Sequence, residues 1–311
     1  MESKEEFDMA DLVQSNGGPR KLRELVERQE GPVLAPGAYD ALSARLVEQA
    51  GFEAVYVTGF GTAASLLGRP DIGLLTFSEM VDNARRIVRA VEVPVIADAD
   101  DGYGNPINVV RTVQEYEAAG VSALHLEDQV SPKKCGHMEG KQVIDASEMV
   151  QKVRAAVDAR HSEDFMIIAR TDARAVVGME AALERARLYR KAGADVLFVE
   201  APQSEEEVVA VSEAFPEVPL LFNWVGGGKT PPVPLERLRE LGFRLVIFPD
   251  TTLFAATRSM REVLARLRAE GTPIKIKDRL LELGEFLDLI GLPEIRRLEE
   301  HYSDEEVRTS R

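Results

Sequence analysis

Eight short runs of apolar, often β-branched residues recur along the chain, and stretches with helical spacing of apolar residues separate them. Continuous apolarity over several residues is typical of strands that are buried on both faces, as in parallel sheets. Helices between such strands indicate repeated βα units. The predicted strands cover residues 33–35, 54–57, 95–97, 123–126, 166–169, 196–199, 220–222 and 245–248.

A glycine recurs shortly before four of these strands, at the point where the preceding helix should end. Gly51, Gly120, Gly193 and Gly242 occupy this position. Glycine suits a helix end because it adopts a left-handed conformation without a Cβ clash. Eight strands punctuated in this way favour an α/β fold of the (β/α)8 TIM-barrel type over a doubly wound sheet.

The domain organisation follows from these elements. We interpret residues 1–30 as a helical lead-in, residues 31–272 as the catalytic barrel and residues 273–311 as a C-terminal helical arm. The last barrel helix is predicted at about residues 252–269. The arm has apolar residues at helical spacing that the barrel does not need for closure, so they must be buried on the barrel or on another subunit. We favour an oligomer contact.

Composition and charge mainly exclude classes of protein. The chain has 311 residues, of which 45% are hydrophobic and 29% charged, as in ordinary globular proteins. A formal charge of −15 without a basic stripe argues against a nucleic-acid partner. The absence of a long apolar stretch argues against a membrane span. With one cysteine there is no internal disulfide, which fits a cytoplasmic protein.

Polar residues follow six consecutive predicted strands, at the barrel end where active sites are built. Asp98 and Asp100 are two residues apart at a strand end, so we expect both carboxylates on the same side of the chain. With Glu127 on the next strand they offer the hard oxygen ligands that suit Mg²⁺, and Asp71 is a candidate outer-sphere partner. Arg170 is interpreted either as a clamp for a substrate carboxylate or as a salt-bridge partner of Glu200.

The single cysteine lies in the segment Lys133-Lys134-Cys135-Gly136-His137, a few residues after a predicted strand. A thiol next to two ammonium groups and an imidazole is expected to favour its thiolate form. The segment therefore predicts a reactive cysteine that serves as a proton donor or a nucleophile.

Several motifs together resemble the isocitrate lyase / phosphoenolpyruvate mutase superfamily, over about residues 32–272. The resemblance is strongest to its branch of methylisocitrate lyase, 2,3-dimethylmalate lyase and petal death protein. The motifs are LGRPDIG at 67–73, DADDGYG at 98–104, EDQ at 127–129, KKCGH at 133–137, ARTDA at 169–173 and FVEA at 198–201.

The resemblance implies a Mg²⁺-dependent barrel enzyme, with Mn²⁺ as an alternative ion. Asp100 would hold the metal most directly, and Asp71, Asp98 and Glu127 would act mainly through bound waters. The KKCGH segment would be a mobile gating loop. The C-terminal helices would be swapped between neighbouring subunits of a homotetramer, a dimer of dimers.

The resemblance also implies roles for the remaining residues. Cys135 would be the general acid/base, and the other predicted catalytic residues are Lys133, Lys134, His137, Arg170 and Glu200. Lys133, Lys134 and His137 would tune the thiol and neutralise a distal carboxylate. The predicted substrate-binding residues are Tyr56, Thr58, Gly59, Phe60, Gly136, Asn223 and Trp224.

The expected activity is that of an oxo-acid lyase acting on a small anionic 2-hydroxy acid. It would cleave a 2-methyl-2-hydroxy di- or tricarboxylate, of the methylisocitrate or dimethylmalate type, to pyruvate and a dicarboxylate. The bulk of Phe60, and Met138-Glu139 where methylisocitrate lyases commonly show an arginine, argue against a tricarboxylate.

Three alternatives remain open. A carboxyvinyl-carboxyphosphonate phosphorylmutase-like enzyme would also keep the loop cysteine. Oxaloacetate acetylhydrolase is disfavoured because such members typically carry Ser where this chain has Pro249. A non-catalytic, metabolite-binding barrel is disfavoured because a barrel without chemistry has no need of so many charged groups at its mouth.

Overall fold

The computed structural model describes residues 17–28 and 30–303 of the chain. Eight parallel strands pair in chain order, and β8 pairs with β1 to close a barrel. The predicted (β/α)8 fold is therefore confirmed. The strands are β1 Val33–Ala38, β2 Val55–Val57, β3 Val95–Asp98, β4 Ala123–Glu127, β5 Met166–Thr171, β6 Val196–Val199, β7 Leu220–Asn223 and β8 Phe243–Phe248.

Helices follow the strands, and several begin at a side chain that caps the first turn. Thr76 and Glu79 form a capping box before the fourth helix, and Thr58 Oγ1 accepts from Gly61 N at the start of the third. The helices are α1 Gly18–Glu27, α2 Ala41–Gln49, α3 Gly59–Leu67, α4 Phe77–Val88, α5 Pro106–Ala118, α6 Ala146–Ala159, α7 Arg174–Val177, α8 Met179–Lys191, α9 Glu205–Ala214, α10 Leu235–Glu240, α11 Thr251–Glu270, α12 Leu283–Leu289 and α13 Leu292–His301.

The four glycines expected at helix ends all have positive φ, between 77° and 112°. Each therefore stands where a side chain would strain the backbone, as predicted. The last barrel helix, predicted at about residues 252–269, covers Thr251–Glu270.

The barrel buries two apolar layers. One fills its interior with residues such as Ile96, Phe198 and Ile247, and Leu22 and Val26 of α1 join this layer. The other layer lies between the strands and the surrounding helices. Thus α1 belongs to the barrel core, while residues 1–16 of the predicted lead-in lie outside the described residues.

The described residues divide into two compact units, with the boundary between residues 255 and 256 inside α11. The barrel forms the first unit. The second consists of the rest of α11, a 3₁₀ helix at Ile274–Arg279, α12 and α13. In the described part of the chain, none of the helices is long and apolar enough to cross a membrane.

Candidate active site

A cavity of about 250 Å³ lies among residues that follow the carboxyl ends of the strands. Its volume is just below the range of about 300–1,000 Å³ that is usual for drug-sized ligands, so it suits a small organic acid. All but three of the predicted site residues line it. They are Tyr56, Thr58, Phe60, Asp71, Asp98, Glu127, Lys133, Lys134, Cys135, Gly136, His137, Arg170, Glu200 and Asn223.

The three exceptions are Gly59, Asp100 and Trp224. Gly59 begins α3, and a Cβ there would lie 2.5 Å from Asp98 Oδ2, so its lack of a side chain makes room for that carboxylate. Trp224 lines a neighbouring cavity, where its Nε1 donates to Val233 O at 3.3 Å. Successive residues of an extended chain point to opposite sides, so Trp224 faces away from the side that Asn223 faces.

Asp98 and Asp100 come together for a reason other than strand alternation. β3 ends at Asp98, and Asp100 lies beyond it with a left-handed φ of 47°. This conformation is uncommon outside glycine, and two hydrogen bonds stabilise it. Asp100 N donates to Asp98 Oδ1 at 3.0 Å, and Glu127 N donates to Asp100 O at 2.9 Å. The turn thus connects three of the predicted metal ligands.

The ammonium group of Lys133 lies between two carboxylates. Its Nζ is 2.7 Å from Asp71 and 2.6 Å from Asp100 Oδ1, and all three side chains are buried. Burial raises the pKa of Asp100 to about 7 although Lys133 opposes the shift, because Asp98 and Asp71 add negative charge nearby. The charge of Lys133 is thereby directed to the carboxylates rather than to the thiol.

The expectation that the Cys135 thiolate is favoured is wrong. Burial raises the pKa of the Cys135 thiol to about 11, and the charges of Asp71 and Glu200 contribute to the rise. The neighbouring lysines do not compensate, because Lys133 binds Asp71 and Asp100 while Lys134 Nζ donates to Gly140 O at 2.8 Å. Cys135 is therefore a protonated thiol at neutral pH.

The loop that carries Cys135 is attached to the barrel at several points. The Gln129 side chain accepts from Lys134 N at 3.0 Å and donates to Lys134 O at 2.7 Å. Cys135 N donates to Asp71 O at 3.1 Å. His137 Nε2 lies 3.2 Å from Glu200 Oε1. These contacts hold the loop over the cavity.

Arg170 forms ion pairs, but Glu200 is not the partner that the sequence suggested. Its Nε lies 2.9 Å from Asp172 Oδ2 and 3.2 Å from Glu127 Oε2. Glu200 instead accepts from Asn223 Nδ2 at 3.2 Å, besides its contact with His137. Burial alone would raise the pKa of Glu200, but the charges of Arg170 and His137 hold it below its usual range.

Sequence reasoning missed a buried lysine after the loop. Lys141 Nζ donates to Gly136 O and to Asp172 Oδ1, the latter at 2.7 Å. Asp172 Oδ1 also accepts from Arg170 Nη2 at 3.1 Å, so one carboxylate binds both cations. The backbone of Asp172 is also bound, because Asp128 Oδ1 accepts from Asp172 N at 2.8 Å. A lysine six residues after the loop cysteine, in a polar segment, gave no signal of burial.

His125 is a second residue that the sequence did not single out. It is fully buried in β4, and its Nε2 lies 2.8 Å from Tyr56 OH, which lines the cavity. Burial lowers the pKa of His125 to about 4, so the imidazole is neutral at neutral pH. A histidine within an otherwise apolar strand was the available signal.

The carboxylates fit a hydrated Mg²⁺. Among the residues that the structure describes, no three Asp, Glu, His or Cys side chains converge to ligate one ion directly. Mg²⁺ commonly takes one or two carboxylates and keeps several waters, so this spacing suits it. Glu127 Oε1 is buried without a hydrogen-bond partner in the described part of the chain, which leaves an acceptor for a metal-bound water.

A closed barrel with clustered carboxylates and a loop cysteine at its mouth defines a class of enzyme that acts on small anions. The profile of the phosphoenolpyruvate phosphomutase family matches residues 22–268. This chain therefore belongs to that family, which the motifs predicted as the isocitrate lyase / phosphoenolpyruvate mutase superfamily.

Individual relatives refine this membership. The 2,3-dimethylmalate lyase of Eubacterium barkeri is 48% identical over 283 residues, which cover 91% of this chain and 97% of that protein. The 2-methylisocitrate lyase of Aeropyrum pernix is 48% identical over 270 residues, which cover 87% and 86%. The predicted lyase branch is thus confirmed.

A solved relative contains the predicted metal. The structure of phosphonopyruvate hydrolase with oxalate and Mg²⁺ matches with a TM-score of 0.83 and 32% identity, and covers 91% of this chain and 98% of that chain. Magnesium is therefore an ion that this superfamily binds.

Proposed function

We propose that this chain is a Mg²⁺-dependent lyase that cleaves the C2–C3 bond of a 2-methyl-2-hydroxy di- or tricarboxylate. The observation that carries the proposal is the position of Cys135, which its loop holds at a cavity that Asp98, Glu127 and Arg170 also line. The similarity to dimethylmalate and methylisocitrate lyases gives the same reaction class.

The mass balance corrects one product of the expected reaction. Cleavage of a tricarboxylate gives pyruvate and a dicarboxylate, whereas cleavage of a dicarboxylate gives pyruvate and a monocarboxylate. In both cases the hydroxyl proton passes to a carboxylate of the cavity, the C2–O bond becomes a carbonyl, and the electron pair of the broken bond stays on C3. C3 must then take up a proton.

Cys135 is the residue that supplies this proton. Its raised pKa keeps the thiol protonated until a strongly basic carbanion forms, which suits a general acid and not a nucleophile. A bound Mg²⁺, held by Asp100 directly and by Asp71, Asp98 and Glu127 through water, would stabilise negative charge on the 2-oxygen as a Lewis acid. The closed loop keeps bulk water away from the carbanion.

The remaining site residues bind and orient the substrate. Arg170 is the cation nearest to Glu127 and provides a guanidinium for a substrate carboxylate. Glu200 holds both His137 and Asn223, and so fixes the loop relative to β7. Tyr56, on β2, and Thr58, just after it, also line the cavity.

We also propose that the chain assembles as a homotetramer through its C-terminal arm. The arm carries apolar side chains, among them Leu281 and Leu283, that its own helices leave exposed. Size-exclusion chromatography with light scattering tests this proposal. Truncation after Thr272 should lower the mass of the particle, and an unchanged mass would contradict the assignment.

The activity is tested by a panel of 2-hydroxy acids, with pyruvate release coupled to NADH oxidation by lactate dehydrogenase. The panel contains 2,3-dimethylmalate and 2-methylisocitrate, each with MgCl₂, MnCl₂ or EDTA. We expect metal-dependent pyruvate release that EDTA abolishes. Release in EDTA would contradict the metal assignment.

The same panel separates the alternatives. Carboxyvinyl-carboxyphosphonate and oxaloacetate are included as substrates of the mutase and hydrolase activities. Turnover of either one without cleavage of any 2-hydroxy acid would overturn the lyase proposal in its favour. An inactive panel with the metal bound would favour a binding protein.

A further inference from the structure

One side of the cavity is apolar except for a single carboxylate. We call it the distal wall, formed by Phe60, Val225, Pro249, Asp250 and Phe254. The rings of Phe60 and Phe254 meet edge to face, with centroids 6.0 Å apart. Asp250 follows β8, which stands across the eight-stranded ring from β4 and its Glu127. The Asp250 end of the distal wall therefore lies across the ring from Glu127.

The carboxylate of Asp250 has no ion-pair partner among the described residues, although the backbone N–H of Gly226 and the charge of His137 lie near enough to oppose the rise that burial causes in its pKa. Its side chain is buried, with 3% of the residue exposed. Within residues 17–28 and 30–303, neither of its oxygens has a hydrogen-bond partner. Buried acceptors are almost always paired in native proteins, since leaving them unpaired is costly. An unpaired carboxylate in a cavity wall points to a donor on the ligand.

The cations around the cavity already have carboxylate partners. His137, whose charge acts on Asp250, lies with its Nε2 3.2 Å from Glu200 Oε1. Lys133 lies between Asp71 and Asp100, and Lys229 Nζ lies 2.5 Å from Glu139 Oε1. A substrate carboxylate placed at the distal wall would thus meet a charge of its own sign without compensation, and like charges in close contact disfavour binding strongly.

We propose that the distal wall binds an uncharged, hydroxyl-bearing substituent of the substrate, whose O–H donates to Asp250 while its carbon atoms contact Phe60 and Phe254. The inference rests on the proposed lyase function and narrows its substrate class. The acid released beside pyruvate is a hydroxylated monocarboxylate, and a dicarboxylate is excluded. The bond that breaks and the proton taken up by C3 are unchanged.

Three small acids test this inference, because they differ only in the group at the far end. Propionate, 3-hydroxypropionate and succinate present a hydrogen, a hydroxyl and a carboxylate there. Their binding to the full chain with Mg²⁺ and pyruvate is measured by calorimetry. We expect 3-hydroxypropionate to bind about tenfold or more tightly than propionate, which is the effect of one hydrogen bond to a charged group. Succinate should bind about tenfold or more weakly than propionate.

Variants assign the selectivity to Asp250. Asp250→Asn removes the charge at nearly constant shape and should strengthen succinate binding about tenfold or more. Glu139→Gln is the matched control, because it removes a negative charge beside Lys229 without touching the distal wall, and it should keep the wild-type order. Asp250→Ser is the second variant should Asp250→Asn fold poorly.

Two results would overturn the inference. One is succinate or propionate binding the wild-type chain as tightly as 3-hydroxypropionate. The other is an order of affinities that both Asp250 variants leave unchanged. These measurements require no turnover, so they are separate from the proposed function, which fails when no 2-hydroxy acid releases pyruvate.

Discussion

Alkylation of Cys135 measures the protonation state on which the proposed chemistry depends. Cys135 is the one cysteine of the chain, so a thiol reagent reports on this residue alone. Burial, together with the charges of Asp71 and Glu200, raises its pKa to about 11 from an ordinary value of 9.0. Iodoacetamide reacts with the thiolate. At about pH 7.5 an ordinary thiol is about 3% thiolate, whereas Cys135 with its raised pKa is about 0.03% thiolate. We therefore expect alkylation of Cys135 to be about a hundred-fold slower.

The assay follows the mass of the intact chain between about pH 6.5 and pH 10, in EDTA, and the chain unfolded in urea supplies the reference thiol. Restricted access to the cavity lowers the rate by the same factor at every pH, whereas a raised pKa moves the midpoint of the curve. The folded rate should still rise at about pH 10, where the reference has levelled off. A folded curve that levels off below about pH 9 would refute the protonated thiol and restore the thiolate predicted from sequence.

Three substitutions test the loop and its attachment. Cys135→Ser should lower kcat by about 10²–10⁴-fold, the usual contribution of a general acid, while the melting temperature stays unchanged, and a fully active variant would contradict the role. Lys141→Met removes the donor to Gly136 O and Asp172, so kcat should fall about tenfold or more and trypsin should cleave the loop faster. Lys141→Arg should recover part of kcat. Equal rates in the wild-type chain and both variants would contradict the role of this contact. Gly136→Ala would place a Cβ against Glu200 Oε1. We therefore expect the variant to lose activity while its far-ultraviolet circular dichroism stays unchanged. Normal turnover would show that the loop closes differently.

The fold was predictable because its signals are local. A buried parallel strand is apolar along its whole length, so each of the eight strands could be read from its own residues. The four glycines at helix ends act in the same way, because their conformation depends on a single position. The ends of the strands could not be predicted from local sequence, because they depend on pairing with neighbouring strands. β1 extends to Ala38, three residues past the predicted end, because pairing with β2 and β8 continues beyond residue 35.

The site was predictable as a set of residues, but its electrostatics were not. Strand order places Asp98, Glu127 and Arg170 at one mouth, and this order was evident from the sequence. The pKa of Cys135 depends on where the ammonium groups of Lys133 and Lys134 lie. A carboxylate distant in sequence, Asp71, decides this for Lys133, and the folding of the loop onto Gly140 O decides it for Lys134. The sequence neighbours of Cys135 therefore predicted a lowered pKa, whereas its pKa is raised.

Pairings of this kind also explain the residues that were missed. Lys141 becomes significant only through Gly136 O and Asp172. Asp250 becomes significant only because its buried carboxylate has no ion-pair partner among the residues that the structure describes. Neither relation has a sequence pattern. Burial of a charged residue is a property of the assembled fold, so no short stretch of sequence indicates it.

The shared carboxylate of Asp172 makes substrate binding and loop closure interdependent. Arg170 and Lys141 share one acceptor, Asp172 Oδ1. A substrate carboxylate that draws Arg170 away from Asp172 leaves that oxygen to Lys141, so substrate binding and loop closure favour each other. By linkage, a closed loop raises the affinity for substrate in the same proportion. The same coupling retains the product, and opening of the loop then becomes a candidate for the step that limits turnover.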